Sequence, residues 1–317
     1  MRRSFLYCLF LPASFFGAMV ANCQGFPNKP IRILTAEPGS PNDLLSRMIS
    51  PQLTATLGEQ IVVDNRGISA IEIAAKSPAD GYTLLSYGAP LWLSSLLRRN
   101  VRWDPFRDFL PVTLALSAPC LLVVAPSVPA RTVTELISLA RTKPGELNYG
   151  SSSGGSVTHL AGELFKSMAK VNLVRINYKG NGPAIAALIA SEVQIMIPNV
   201  GAVLPHVNSG RLRALAVTSL RPFASLPNIP TVTASGIPGF EVSSISGILA
   251  PARTPAEIVN KLNLHIVQIL NAAEFKEKFL LSGMEVVASS PDAFSTRIKA
   301  DISKWRSVIS EAGISED

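Results

Sequence analysis

"LNYGSSSGGSVTHLAGELF" (Leu147–Phe165) places a cluster of serines and glycines directly ahead of an apolar stripe. Val157, Leu160, Ala161, Leu164, Phe165 and Met168 keep the i, i+3, i+4, i+7 spacing of a helix with one face turned to a core. A Ser/Gly loop that enters a helix presents free N–H groups at the positive end of the helix dipole. Such a loop can serve as a nucleophile, a phosphate cradle or a grip for a small polar ligand. A nucleophilic serine needs an oriented base and usually the strained G-x-S-x-G turn. "GSSSGGS" lacks that spacing, and His159, the candidate base, is expected to meet neighbouring backbone at the helix start. A nucleotide loop would end in G-K-[ST], whereas "GGSVTH" has no lysine there. Two readings stay open for this segment alone: an anion or polar-ligand site, or a capped helix start with a flexible loop.

Outward from this segment, short apolar runs alternate with helical patterns. "IRILTA" (Ile31–Ala36), "QIVVDN" (Gln60–Asn65), "YTLLSYG" (Tyr82–Gly88), "CLLVVA" (Cys120–Ala125), "VQIMIP" (Val193–Pro198) and "LRALAVTS" (Leu212–Ser219) are bounded by Gly, Pro, Asn or Ser. Continuous apolar runs of this kind suit strands covered on both faces, in a mostly parallel sheet. Thr132 with Glu135 predicts a capped helix, and Thr254, Pro255 and Glu257 predict another ahead of Val259, Leu262, Ile266 and Ile269. A last helix is expected from "SPDAF" through Trp305 to Gly313. The chain is therefore α/β, with helices on both faces of its sheets. In such folds ligands sit beyond the carboxyl ends of the strands, where loops turn into helices.

At 317 residues the chain suits two domains better than one, at about 150 residues each. A hydrophobic content of 47% against 16% charge fits well-filled cores and excludes a disordered chain. The first segment, "MRRSFLYCLFLPASFFGAMVANCQG", has the three-part layout of a secretory leader: Arg2 and Arg3, an apolar run from Phe5 to Val20, then small residues. Cleavage after Cys23 is expected, giving an exported, periplasmic protein. Lipoprotein anchoring would retain Cys23, but Asn22 is a poor fit to the small residue usual before the acylated cysteine. An uncleaved anchor is disfavoured by the shortness of the run, and no later run approaches the roughly 20 apolar residues of a membrane span. Loss of Arg2 and Arg3 lowers the formal charge from +7 to +5, since that segment carries no acid.

The remaining Lys and Arg residues are scattered rather than gathered in a stripe, so no nucleic-acid partner is expected. Beyond the leader only Cys120 remains, read as a small core residue that can form no internal disulfide. His159, His206 and His265 lie far apart without partners at ligand spacing, so neither metal nor other cofactor is expected. The Pro-rich "RPFASLPNIPTVTASGIPGF" (Arg221–Phe240) has few periodic apolar positions and reads as a surface connection or a crossing between domains.

Taken in order, "FPNKPIRI", "DGYTLL", "WDPFRDFLPVTL", the long segment around "LNYGSSSGGSVTHLAGELF", "YKGNGPAIAALIASEVQIM", "PHVNSGRLRALAVTS", "GIPGFEVSS" and "LAPARTPAEIVNKLN" resemble the Bug family, the extracytoplasmic solute receptors of tripartite tricarboxylate transporters. The resemblance covers nearly the whole mature chain. It implies a periplasmic binding protein fold of type II-like character: two lobes, each a central sheet flanked by helices. The leader would occupy residues 1–23, lobe 1 residues 24–126 plus 247–317, and lobe 2 residues 127–246. The implied function is capture of a small organic solute, carboxylate or amino-acid/amide-like, in the interlobe cleft for delivery to membrane permease subunits. The receptor would be a monomer and not an enzyme. A sensor feeding a membrane signalling partner, or a serine hydrolase using Ser153 and His159, are the alternatives.

Family members grip carboxylated ligands with backbone N–H groups, hydroxyls and water from two facing loops. The first matches "AEPGSPND" and implies Glu37, Pro38, Gly39, Ser40, Asn42 and Asp43 as site residues. The second matches "YGSSSGG" and implies Ser151, Ser152, Ser153, Gly154, Gly155 and Ser156. Tyr87 and Gly88, then Tyr178, Lys179 and Gly180, and Asn199 are implied nearby. Glycines and serines there let backbone approach a small acid closely. The sequence also departs from the family. Its first loop is about one residue shorter and carries Glu37, whose charge would repel an anionic ligand at a cost on the order of several kcal/mol if both were desolvated. About four residues are missing before Ile68, Pro198 replaces a common acid, and Ile245 a common aromatic. These departures point to a changed ligand, amino-bearing or neutral, or to a receptor that has drifted from uptake.

Overall fold

Residues 25–152 and 155–314 are described by a computed structural model of the chain. The expected leader, together with Ser153 and Gly154 of the Ser/Gly loop, lies outside the described residues. The first half of the chain alternates β1 (Ile31–Thr35), α1 (Pro41–Leu57), β2 (Ile61–Asn65), α2 (Ser69–Ala75), β3 (Thr83–Gly88), α3 (Pro90–Leu97) and β4 (Phe109–Pro119). A second run holds β5 (Leu121–Val124), α4 (Val133–Thr142), β6 (Asn148–Ser151), α5 (Val157–Ala169), β7 (Val174–Asn177), α6 (Asn181–Ile189), β8 (Ile195–Met196), α7 (Val200–Asn208) and β9 (Arg213–Val217). The chain ends with β10 (Ser243–Pro251), α8 (Ala256–Asn271), α9 (Ala273–Leu281), β11 (Glu285–Val286) and α10 (Pro291–Ala312).

Two sheets result. One has six strands in the order β11-β4-β10-β3-β1-β2, the other five in the order β7-β6-β8-β5-β9. Both are mixed rather than mostly parallel. β1 pairs in parallel with β2 and β3, while β10 runs antiparallel to β3 and β4. β6 is parallel to β7 and β8, while β5 is antiparallel to β8 and β9. The antiparallel partners β4 and β10, and the short β6 and β7, are strands that apolar runs alone do not reveal. "SSISGILAP" opens half-polar, "FLPVTLALSAP" carries Pro111 and Pro119, and "NYGS" and "VRIN" are only four residues each.

Sheet membership changes at Pro119–Cys120 and again between Val217 and Ser243. The division expected from sequence, at Pro126 and Gly247, would have put β5 and the start of β10 with the opposite sheet. The Pro-rich Arg221–Phe240 segment lies within the second crossing and makes no named strand, only a bridge from Thr231 to Val217.

Side chains leave β1 alternately toward two cores. Ile31 and Ile33 join Leu45, Ile49 and Leu53 of α1 and Leu262 and Ile266 of α8. Leu34 points the other way, into a core shared by Leu85, Trp92 and Phe294 that continues into the five-stranded half. Helix starts follow local chemistry: Ser40, Thr132, Ser156 and Ser290 each accept from the N–H three residues on. Thr254 does not cap α8 as expected. Its hydroxyl donates back to the Pro251 carbonyl at 2.7 Å, and Pro255 is the cap residue.

Three features hold the halves together away from the strands. Helix α10 packs on α3, β4 and α5, and Lys304 and Arg297 reach Glu241 on the second crossing at 3.0 and 3.1 Å. The turn after α9 sits on the start of α7: a Cβ on Gly201 would stand 2.7 Å from the Ser282 carbonyl oxygen, and one on Gly283 2.7 Å from the Gly201 nitrogen. Beside it, Ser225 Oγ donates to the Leu280 carbonyl at 3.2 Å.

Candidate functional site

Strand register decides where a ligand can sit. β1, β2 and β3 are parallel and end together at Thr35, Asn65 and Gly88, and Ser246 at the start of β10 pairs with Gly88. Pro119, where the chain leaves this sheet, pairs with Ser243 on the same edge. In the other sheet β6, β7 and β8 end together, next to Leu121 at the start of β5 and Val217 at the end of β9. Both crossings therefore leave from the edges that carry the strand-to-helix loops, and those two edges meet. Cys120 bridges to Asn199, and Asn199 Oδ1 accepts from the Cys120 thiol at 3.3 Å and from Ser244 Oγ at 3.0 Å, tying β8, β5 and β10 in one place. The thiol is fully buried, which pushes its pKa up to about 12 despite the Thr218 hydroxyl nearby, so Cys120 is inert packing.

The first loop is a self-contained turn on the start of α1. Ser40 caps the helix, the Ser40 N–H donates to the Glu37 carbonyl, and the Gly39 N–H donates to Asp43 at 2.8 Å. Asp43 is buried and also accepts from Arg47 at 2.9 Å and Asn65 at 2.9 Å. Burial pushes its carboxyl up, but the hydrogen bonds from Asn65, Gly39 and Arg47 outweigh this and hold it below the ordinary value. Asp43 is thus an anchor for the turn, while Glu37, Pro38 and Gly39 are exposed. Ser86 Oγ donates to the Asn42 carbonyl at 3.1 Å, and Asn42 Oδ1 lies beside Gly88, which in turn presses on the Ile245 carbonyl. The Glu37 carboxylate leans over Gly67, where a Cβ would come within 2.7 Å of Oε1. Tyr87 is buried, and burial followed by the nearby Glu37 charge raises its phenol well above the ordinary range.

The second loop is cross-braced. Ser151 is fully buried, and its Oγ accepts from Arg175 Nε at 2.7 Å. Arg175 Nη2 also donates to the Ser152 carbonyl at 3.2 Å and Asn177 Oδ1 at 3.0 Å. The Ser152 N–H donates to Thr158 Oγ1, and the hydroxyls of Ser152 and Ser156 each lie 3.1 Å from the same oxygen. The Gly155 N–H donates to His159 Nδ1 at 3.1 Å, fixing the tautomer with its proton on Nε2. Burial, then the Arg175 charge, pushes the imidazole down to about 4, so it is neutral at neutral pH. Tyr178 lines the same strand end, its N–H donating to the Ser151 carbonyl, followed by exposed Lys179 and by Gly180 at the start of α6.

The hydroxyls of Ser151 and Ser152 and the amide oxygen of Asn199 are thus already engaged within the chain. The Ser152 and Gly155 N–H groups are engaged as well, so among the described residues what remains toward a guest is the main chain of Ser156, Val157 and Thr158 at the first turn of α5. Among the described residues, none of the hydrogen bonds made by one loop reaches the other, and no group of three or more His, Cys, Asp or Glu could hold a metal. Arg175 and Thr158 are the structural partners that sequence reading missed. Their only signal was parity: Arg175 stands opposite Tyr149 in the β6–β7 ladder, on the face shared with Ser151.

The profile of the tripartite tricarboxylate transporter family receptor matches residues 45–314. The chain belongs to that family. A Pseudomonas sp. (strain P51) relative, the UPF0065 protein in the tcbD-tcbE intergenic region, is 34% identical over 98% of this chain and 94% of its own length. Protein BugT of Bordetella pertussis is 34% identical over 93% of each chain. Among solved structures, an R. palustris protein with adipate superposes with a TM-score of 0.78 at 35% identity, covering 92% of this receptor and 99% of the other chain. MatC from Rhodopseudomonas palustris with bound malate gives 0.73 at 26% identity, over 90% and 100%. The α/β architecture of this receptor is that of the family's periplasmic binding proteins, BugD among them at a TM-score of 0.74 over 92% and 99% of the two chains.

Proposed function

We propose that this receptor captures a small carboxylated solute between the Glu37–Asp43 turn and the Ser151–Ser156 loop and delivers it to membrane permease subunits of a tripartite transporter. The observation that carries the reading is the meeting of the two loop-bearing sheet edges at both chain crossings. Two lobes joined there by the direct Pro119–Cys120 step and the long Val217–Ser243 crossing open and close by hinge motion, exposing or enclosing the space beyond the strand ends. The lobes are the two sheets with their helices, so the working boundaries are Pro119–Cys120 and Val217–Ser243. Main-chain N–H groups at the start of α5 suit a carboxylate. Solved relatives with adipate and malate support that ligand class.

The receptor works as an exported monomer and transforms nothing. His159 uses Nδ1 to accept from Gly155, and Glu163, the carboxylate whose charge reaches it, is taken up by Lys166 at 2.8 Å and by Tyr149, so among the described residues no carboxylate orients it as a base. Isothermal titration of the mature protein against a panel of dicarboxylates, hydroxy acids and amino acids is expected to give one saturable site per chain. Absence of heat and of thermal shift across the panel, with no small molecule carried through purification in a native mass spectrum, would sink the reading.

A further inference from the structure

The two loops differ in charge in a way that neither the fold nor the ligand class requires. In the six-stranded half the acids near the turn are neutralised in pairs: Asp43 by Arg47 at 2.9 Å, and Asp64 by Arg66 at 2.8 Å with Arg32 at 3.7 Å. Glu37 is the exception. Its carboxylate stands exposed over Gly67, at the carboxyl ends of β1 and β2, and among the described residues it has no ion pair and no side-chain hydrogen bond. In the five-stranded half the near acid Glu163 is matched by Lys166. Arg175 is left over. Its bonds go to Ser151 Oγ, the Ser152 carbonyl and Asn177 Oδ1, all uncharged acceptors, and it forms no ion pair among the described residues. Half-buried beneath the Ser/Gly loop, it adds a fixed positive charge to the helix N-terminus of α5, and exposed Lys179 adds a second.

Resting on the receptor reading above, we propose that the site is polarised end to end: its ligand carries a carboxylate that faces Ser152 and the first turn of α5 over Arg175 and, at the opposite end, an ammonium or comparable donor that faces Glu37. A dicarboxylate would bring its second charge to the uncompensated Glu37, and like charges brought together out of water repel strongly. An ammonium there completes an ion pair instead. Arg175 is a positioning residue, holding Ser151 and Ser152 while setting the sign of the field around them. Glu37 is the specificity-determining residue.

Length-matched probes separate the two ends. Isothermal titration compares adipate with 6-aminohexanoate and succinate with 3-aminopropanoate, on the mature chain and on Glu37→Gln, Arg175→Gln and Arg175→Lys. For the length that fits, the amino acid is expected to bind at least 10-fold more tightly than its diacid. Glu37→Gln should shrink that ratio at least 5-fold, a change in preference that a merely structural role would not produce. Arg175→Gln should weaken both members about equally, by 10-fold or more, with partial recovery in Arg175→Lys. Because Glu37 is exposed, its variant tests the idea even if the arginine variants fail to fold. A diacid that binds as well as its partner, or a ratio unmoved by Glu37→Gln, overturns the inference and leaves the receptor reading standing. A carried-over natural ligand without a cationic or donor end overturns it too. Silence from every probe and from the wider panel, with nothing carried over, defeats both.

Discussion

The turn on α1 and the loop on α5 occupy equivalent positions, each at the end of a parallel strand and each capped by a serine, yet they are built to different standards. The α1 turn exposes Glu37, Pro38 and Gly39 and rests on one buried residue, Asp43. The α5 loop buries Ser151, Ser152, Thr158 and His159 and ties them with bonds from a neighbouring strand and from within the helix. The contrast teaches that the α5 loop is fixed by its buried polar network, whereas the α1 turn is free to vary its exposed side chains. Buried, mutually satisfied polar groups hold backbone donors in one arrangement, whereas an exposed turn can change side chains with little effect on the fold.

The sharpest way to break this contrast is to disturb the bed of the α5 loop. A Cβ on Gly162 would come within 2.2 Å of the fully packed Tyr149 ring, so Gly162→Ala is expected to destabilise by about 3 kcal/mol, read as a lowered urea midpoint with little change in slope. An effect of similar size should appear with pH alone. The His159 imidazole is held neutral down to about 4, whereas in the unfolded chain it takes a proton near 6.5. Between those values the unfolded state binds more protons, so this contribution is fully present above pH 6.5 and is lost as pH falls toward 4, by roughly 3 kcal/mol at 1.4 kcal/mol per decade. Urea unfolding at pH 7 and 4.5 should show it, and the difference should flatten in His159→Asn.

On the α1 side, Asp43→Ala removes the acceptor for Gly39, Arg47 and Asn65 and is expected to cost about 2 kcal/mol by thermal unfolding. Its loss should leave the urea midpoint's sensitivity to pH between 4.5 and 7 intact, because the Asp43 carboxyl, held below its ordinary value, is ionised across that range. The smallest effect sharpens the comparison most. Ser156→Ala is expected to cost about 1 kcal/mol and Ser40→Ala about half of that, since the Gly39–Asp43 bond survives in the second variant. Equal costs would mean that the two loops are held alike.

How much of this was legible in the sequence differs between the two halves for the same reason. The alternation of apolar runs with capped helices placed β1, β2, β3, β5, β8 and β9, because each carries a continuous apolar run, buried throughout in β3, β5 and β8 and only at Ile61 in the edge strand β2. β4 and β10 form the long antiparallel pair beside them and hid behind prolines, serines and a glycine, since their identity comes from partners far along the chain. The first loop carried local signals in Ser40, Pro41 and Asp43 that the sequence reading did not use, taking Asp43 from the resemblance as a ligand contact where the structure has a buried anchor. The bracing of the second loop was not legible: Arg175 lies 23 residues from Ser152, and no local pattern connects them. Thr254 failed as a cap for a related reason, its hydroxyl being taken by the Pro251 carbonyl before the helix begins.

The bare approach of Ser282 and Gly283 to Gly201 has a mechanical consequence. With main chain against main chain, two residues beyond the Asn199 knot, there is no side chain to compress or rotate, so this contact sets the separation of the α7 start from the turn after α9. A single added methyl at Gly201 would act as a wedge between α7 and the turn after α9, forcing the Ser282 carbonyl to give way.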